Sequence, residues 1–163
     1  ISTSASTIAI RLPDEQVALP AGIYSLSLRL RRVRGPGIPD ALLTSNGLPF
    51  AVAPRLLQVN FAPATTATSG PARGRTTPPT ISARVSPQVW PEQRVSLLIG
   101  DEELPLSAVT DKTNDISLPL TNVALARGTY LVRVRVDGVD SVPTRTTQNG
   151  TLEFDPQQQV TIP

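Results

Sequence analysis

The stretch ALARGTYLVRVRVDG, residues 124–138, repeats in outline a stretch near the start of the chain, ALPAGIYSLSLRLRR, residues 18–32. Superposed without a gap, the two share Ala, Leu, Gly, Tyr and an Arg, and both run on in strict alternation. Tyr130, Val132, Val134 and Val136 fall on one side, with Arg133 and Arg135 on the other. Likewise Tyr24, Leu26, Leu28 and Leu30 oppose Ser25, Ser27, Arg29 and Arg31. A period of two marks a strand with one face buried and one wet. Gly22 and Gly128 stand two residues before the tyrosines, where a chain crossing between sheets needs a backbone angle that other residues avoid. Tyr24 and Tyr130 then begin the next strand, ring inward, with a hydroxyl able to bond back to the corner. That is the tyrosine corner of Greek-key sandwiches.

The repeat continues on both sides. Upstream, TIAIRL (Thr7 to Leu12) matches DISLPL (Asp115 to Leu120) as a preceding strand. Downstream, TSNGLPFAVAP (Thr44 to Pro54) matches TQNGTLEFDP (Thr147 to Pro156), each an Asn-Gly turn followed by a Phe-bearing strand. The spacing of about 105 residues fits the roughly 100 residues of an immunoglobulin-like sandwich. The expected fold is therefore all-β, with tandem immunoglobulin-like β-sandwich units. Residues 1–55 read as the C-terminal half of a first sandwich, incomplete within this chain. Residues 56–163 read as a second, nearly complete one. Its strands are expected at Leu56 to Phe61, Thr80 to Val85, Arg94 to Gly100, Asp115 to Leu120, from Tyr130 onward and Gln157 to Pro163. Residues 62–79 form a Pro/Thr-rich loop, expected to be exposed and flexible. A helical turn is conceivable only at Pro39 to Gly47 and Leu104 to Lys112. Half a sandwich exposes its core, so the missing strands of the first unit are expected upstream or from another chain. Ile1 in place of an initiator Met likewise reads as a piece of something longer.

Composition narrows the chemistry. With Cys 0, His 0 and Met 0 there are no disulfides, no thiolate or imidazole metal ligands and no Cys or His nucleophile–base pairs. No cofactor is expected. Lys112 is the single lysine among 15 cations, and the net charge is +2. Scattered arginines with only 4% aromatic residues make no nucleic-acid signature. No apolar run approaches the roughly 18–20 residues needed to cross a bilayer, and no basic-then-apolar leader opens the chain, so no membrane insertion is expected. Asp101, Glu102 and Glu103, and the group Asp111, Asn114 and Asp115, match no calcium-loop spacing and read as solvated turns. Asp137 and Asp140 flank the turn glycine Gly138. No G-x-S-x-G elbow and no singled-out pair of acids is present, so the chain does not read as an enzyme.

Partner contacts have a few candidates. Trp90, the single Trp, is bracketed by Pro87 and Pro91. It reads as a rim residue over the core or as an exposed anchor, since Trp is over-represented at binding hot spots. The ladders Arg29, Arg31, Arg133 and Arg135 read as solvated strand faces that, in an assembly, suit acidic surfaces. Asn149-Gly150-Thr151 fits a glycosylation sequon, but Asn-Gly is first a hairpin turn signal.

The order of phrases in the second unit is P-E-Q-R-V-S-L-L-I from Pro91, then D-I-S-L-P-L from Asp115. L-x-x-G-T-Y-L-V-R-V-R-V-D-G-V-D-S follows from Leu125, and D-P-x-x-x-V-T-I-P from Asp155. This order resembles the C-terminal region of the tail-terminator, or cap, proteins of phage-tail-like contractile injection systems. The resemblance covers Pro54 to Pro163, and the first sixty residues only as a related partial copy. That family's N-terminal domain, which closes the end of tube and sheath, is not in this chain, so no terminator residue carries over. The resemblance implies a structural docking role against sheath, tube or neighbouring cap chains, with homo-oligomers in the assembly. It places the chain in the bacterial cytoplasm, inside a particle that can be released. The alternative is an adhesion or carbohydrate-binding β-sandwich module of a larger bacterial protein at the cell surface.

Overall fold

A computed structural model of the chain describes residues 19–37, 39–121, 123 and 125–163, with the backbone of residues 2–3 and 8–9. Near the start, β1 (Ser2–Thr3) pairs antiparallel with β2 (Ile8–Ala9). The remainder of the expected strand over Thr7 to Leu12 lies outside the described residues. Next, β3 (Gly22–Leu26) and β4 (Arg29–Arg32) lead out to a turn, and β5 (Ala41–Thr44) and β6 (Leu48–Val52) lead back. Leu26 pairs with Leu48, and Arg29, three residues on, pairs with Thr44, four residues back. One long hairpin results, with an extra residue on its returning side, as in a β-bulge. Ser45 secures the bulge from both ends. Its N–H donates to the Leu28 carbonyl at 2.9 Å, and its hydroxyl oxygen accepts from the Leu28 N–H at 2.9 Å. The helical turn conceivable at Pro39 to Gly47 is thus strand and bulge, because its leucines pair across the hairpin.

The second unit begins at β7 (Arg55–Ala62). The segment after it is no shapeless loop, since β8 (Thr65–Thr66) and β9 (Thr76–Thr77) clip it into an exposed hairpin. Then come β10 (Thr80–Val89), β11 (Val95–Ile99), β12 (Glu102–Pro105), β13 (Thr113–Pro119) and β14 (Gly128–Val136). They are followed by β15 (Val139–Asp140), β16 (Thr144–Thr146), β17 (Leu152–Phe154), a 3₁₀ turn (Pro156–Gln158) and β18 (Gln159–Ile162). One sheet has the order β13-β10-β7; the other has β12-β11-β14, with β15 and β18 paired to β14. Two antiparallel sheets face to face make an immunoglobulin-like sandwich. The fold is all-β.

Alternation fills the space between the sheets. Ile81, Val85 and Val89 of β10, Leu97 and Ile99 of β11, and Val132, Val134 and Val136 of β14 are each at most 1% exposed. Fully burying such a side chain is worth about 1.5–3 kcal/mol, so this row is the main favourable term in the unit. Leu104, Leu106 and Val109 pack against the same core from the segment where a helical turn was conceivable, and Leu106 N–H bonds to Val95 O at 2.9 Å. That segment is extended at its start, as β12, and irregular beyond it.

Both tyrosine corners are present. Tyr130 donates to the Ala126 carbonyl at 2.9 Å and Tyr24 to the Pro20 carbonyl at 2.6 Å, each four residues back. Gly128 and Gly22 share nearly one backbone angle, φ 156° and 155°. Gly100, at φ 58°, lies on the other side of Tyr130; a Cβ there would stand 3.3 Å from the ring. The downstream half of the repeat pairs differently from its sequence match. Gly128 opposes Ile162 as Gly22 opposes Val52, so β18 stands where β6 stands. The Phe154 strand, β17, pairs with β16 alone among the described strands.

Tyr130→Phe removes the corner bond while keeping the ring. It is expected to cost about 1 kcal/mol of stability, the net worth of one hydrogen bond, read as a lower urea midpoint. An unchanged midpoint would show that the ring alone holds the corner.

Candidate functional site

No single cleft collects the candidate residues; the structure distributes them over three surfaces. The first is the outer face of the β14 sheet. Arg135 and Asp140 sit directly opposite each other across β14 and β15, the position at which opposite charges reinforce a strand pair. Arg135 Nε and Asp140 Oδ1 are 2.5 Å apart, Arg135 Nη2 and Asp140 Oδ2 3.1 Å, and a second carboxylate, Glu103 of β12, meets Nη1 at 2.5 Å. Arg133 Nη1 reaches Asp140 Oδ2 at 3.1 Å. The hydrogen bond from Arg135 holds the Asp140 carboxyl below the usual range, with the nearby charges of both arginines adding to it and burial opposing it. The Arg135 guanidinium is raised in turn, first by its hydrogen bond to Asp140. Leu98, paired in register with Arg133, is buried on this face outside the main core, as aliphatic arginine stems allow. These ladder arginines are therefore matched within the chain and are not an open cationic stripe.

The second surface is the joint between the first hairpin and the sandwich, and its key residue had no signal in the sequence. Gln93 lies in the turn between β10 and β11 and uses its whole amide. Its Oε1 accepts from Trp90 N–H at 3.0 Å; its Nε2 donates to the Ala21 carbonyl at 2.7 Å and to Asp137 Oδ2 at 2.9 Å. The other oxygen of Asp137 accepts from Arg94 N–H at 3.0 Å. Ala21, next to the corner glycine of the first hairpin, is only 3% exposed and belongs to the core of the sandwich. Tyr24 above it has its hydroxyl pKa raised, by burial first and then by the Asp137 carboxylate. Trp90 is half-buried here, with Lys112 Nζ 3.6 Å from its ring centroid. It is a rim residue that carries a cation–π contact worth about 0.5–1 kcal/mol at such a site.

The third surface is an excursion out of the last strand. Ser141 still holds to β14, its N–H donating to the Val134 carbonyl at 2.7 Å and its hydroxyl oxygen accepting from the Val134 N–H at 3.0 Å; after it the chain leaves, makes the β16–β17 hairpin and rejoins the ladder at Gln159. Asn149-Gly150 occupies the tip of that hairpin, with Thr147 N–H bonded to Thr151 O at 2.8 Å. Arg145 and Glu153 pair across it at 2.7 Å. A cleft of about 440 Å³ lies between the excursion and the start of β7, lined among others by Leu56, Leu57, Val142, Thr144 and Gln158. Gln158 is buried, and its Nε2 donates to Val142 O at 3.2 Å. Asp155 Oδ1 caps the 3₁₀ turn by accepting from Gln157 N–H.

The remaining candidates are scattered. Arg31 pairs with Asp40 at 2.5 Å, and Arg29 is exposed on the same face. Asn114 bonds to Gln88 and to the Val85 carbonyl, and among the described residues no three acids gather as a metal site.

Two measurements check these surfaces. Asp140 has a depressed folded pKa, so its stabilisation is complete above the ordinary carboxylate pKa near 3.9 and is lost as pH falls through the lower folded value. Asp140→Asn should therefore lower the melting temperature at pH 7 by the equivalent of no more than about 1 kcal/mol and flatten its decline in acid. A parallel shift at every pH would contradict this. Gln93→Ala should cost about 1 kcal/mol, because of its three partners only the Ala21 carbonyl belongs to a buried residue, while Trp90 is half-buried and Asp137 exposed. It should also widen the range of hairpin-to-sandwich orientations seen by residual dipolar couplings; unchanged couplings would place the rigidity of the joint elsewhere.

No curated protein and no solved structure matches the chain. A family described as Domain of unknown function (DUF8756) matches residues 54–161, a span that runs from just before β7 into β18. The chain accordingly belongs to the family described as Domain of unknown function (DUF8756).

Proposed function

We propose that this chain is a structural, non-catalytic interaction module of the cap, or tail-terminator, protein of a contractile injection system, docking on neighbouring subunits of the same particle. The assignment to such a particle rests on the ordered phrases from Pro91 to Pro163. The docking role rests on one observation, the excursion between β15 and β18. The first copy of the hairpin does without it, since β5 and β6 are separated only by the Ser45 to Gly47 bulge. In the second copy the excursion holds Val142, Leu152 and Phe154 at 59%, 69% and 62% exposure. Apolar side chains gathered on an insertion that the sandwich does not need favour a protein partner. The matched ion pairs on the β14 face support the same division of labour, because charges already paired within the chain have little left to offer an acidic partner. On this reading the chain works in an assembled particle, in the bacterial cytoplasm or after release.

Replacing Leu152 and Phe154 together by Ser tests the docking role. Both are exposed, so stability should change by no more than about 0.5 kcal/mol per site. Incorporation of the protein into its native particle, read by electron microscopy and quantitative mass spectrometry, should fall several-fold. Full incorporation of the double variant would remove the excursion as the docking surface. Labelling confined to the cell wall, with no tail-like particle, would reject the particle and favour an adhesion module.

A further inference from the structure

Two edge strands border the cleft beside the excursion. Among the described strands β7 is bonded to β10 alone, and β16 to β17 alone. The bonds that flank β16 fix which way its backbone points. Asp155 N–H donates to the Pro143 carbonyl at 3.0 Å and Thr147 N–H to the Thr151 carbonyl at 2.8 Å, with an unbroken register between them. Bonded positions alternate along an antiparallel pair, so Arg145 bonds across to Glu153, while the N–H and C=O of Thr144 and Thr146 turn away from β17. No group among the described residues meets them. Thr144, Arg145 and Thr146 all line the cleft, so this free edge borders it. On the other side, Leu57 is the extra residue of a bulge in β7, since Leu56 pairs with Val85 and Gln58 with Arg84.

Gln158 is a second, independent sign of a ligand. It is 4% exposed and lines the same cleft, yet no group among the described residues donates to its Oε1. A buried acceptor without a donor is rare in folded proteins. Its amide turns about a soft terminal torsion, and the bond from Nε2 to the Val142 carbonyl, at 3.2 Å, is at the long end of the normal range. The amide can therefore swing toward an N–H arriving in the cleft. The charges around the cleft are already met. Arg145 is paired with Glu153, Asp155 caps the 3₁₀ turn, and Arg55 is engaged as well. A fitting ligand has donors and acceptors at the spacing of alternate strand residues, an apolar group to set against Leu57 and Val142, and no charge.

We infer that the cleft takes an extended, uncharged polypeptide segment of a partner protein, which adds as a strand to the free edge of β16 and presents a backbone N–H to Gln158 Oε1. Strand addition draws affinity from main-chain bonds and selectivity from pockets for alternate side chains. The cleft, at about 440 Å³, is within the range of ~300–1,000 Å³ usual for ligand sites. A polyol offers a donor to Gln158 but does not match the repeat of Thr144 and Thr146. The inference is independent of the docking role proposed for Leu152 and Phe154, which lie on β17, across the bonded edge of β16.

The probe is a capped pentapeptide, acetyl-Thr-Val-Thr-Val-Thr-amide, titrated at millimolar concentration into the full chain and followed by amide NMR. Saturable shifts should centre on Thr144, Thr146 and the side-chain amide of Gln158. Exchange of the Thr144 and Thr146 N–H groups should slow at least about tenfold, while that of Arg145, already bonded, changes little. The fully N-methylated peptide, which has no backbone donors, should leave the spectrum unchanged. Thr146→Pro removes a donor from the free edge and no bond from the ladder, and Gln158→Met removes the buried acceptor. Each should weaken the peptide about fivefold, the worth of one hydrogen bond. No saturable shift, equal shifts with the N-methylated peptide, or undiminished binding by both variants would overturn the inference. Shifts at Gln158 that spare Thr144 and Thr146 would show a small-molecule or water site and overturn it too. Protection of both threonines on raising the protein concentration alone would make a second copy the occupant, against the inference.

Discussion

The constraint on which the rest of the sandwich depends is the inward row of β14. Val132, Val134 and Val136 are sealed against β10 and β11, and a one-residue slip of β14 would turn all three to water and Arg133 and Arg135 to the core. Burying two unpaired guanidinium groups is prohibitive, so the alternation admits one register only. The corner sets where that register begins. Gly128 and the Tyr130 hydroxyl fix the first residue of the strand, and Gly100 leaves room for the ring. Everything attached to β14 inherits the register: the Arg135–Asp140 pair across to β15, the Leu98–Arg133 match across to β11, and the Thr129–Thr161 hydroxyl contact at 3.0 Å across to β18.

The same constraint operates twice, but only once with its counterpart among the described residues. In the first hairpin, Tyr24 to Leu30 obeys the period that buries β14, and its polar face carries Arg29 and Arg31 as β14 carries Arg133 and Arg135. Among the described residues no layer faces it, and Leu26 and Leu30 stand 38% and 55% exposed. The joint keeps this hairpin in a defined place even so. Ala21 enters the core of the sandwich, and Gln93 ties its carbonyl to Asp137. A single amide with both donors and its acceptor engaged resists rotation better than packing at one alanine could, because any change of angle breaks several hydrogen bonds together.

Strands with both a clean period and a buried face were legible in the sequence, and so were both corners, because a glycine, a tyrosine and the alternation after them are local signals. What the sequence hid depends on partners far along the chain. β12 carries Glu102, Glu103 and Pro105 and reads as a turn, yet an edge strand tolerates charge and proline on its free side. β10 runs on past Val85 to Val89 through Pro87, with its register shifting on the way, where the sequence stops the strand early. The match between the two Phe-bearing segments was a likeness of turns. Pairing in the ladder shows that β18, poor in sequence likeness to β6, occupies its place. Gln93 could not have been singled out, since a glutamine in a turn has no pattern and its partners Ala21 and Asp137 are remote in the chain.

The contrast between the arginine ladders and the excursion decides which surface has interaction energy to give. Arg133 and Arg135 were reasonable candidates for an acidic partner when only their alternation was visible. With Asp140 between them and Glu103 beside them, a partner carboxylate would have to displace an existing ion pair, gaining one contact of about 1 kcal/mol or less while losing another of the same kind. Leu152 and Phe154 have no such competitor. Removing them from water is worth about 25 cal/mol for each Å² covered, and nothing on the chain needs to be broken first. On the proposed reading, association through the excursion would start from a surplus, whereas association through Arg133 and Arg135 would start from near zero. The first hairpin keeps the arginines and lacks the excursion, so the arginines are common to both copies, while Leu152 and Phe154 belong to the second alone.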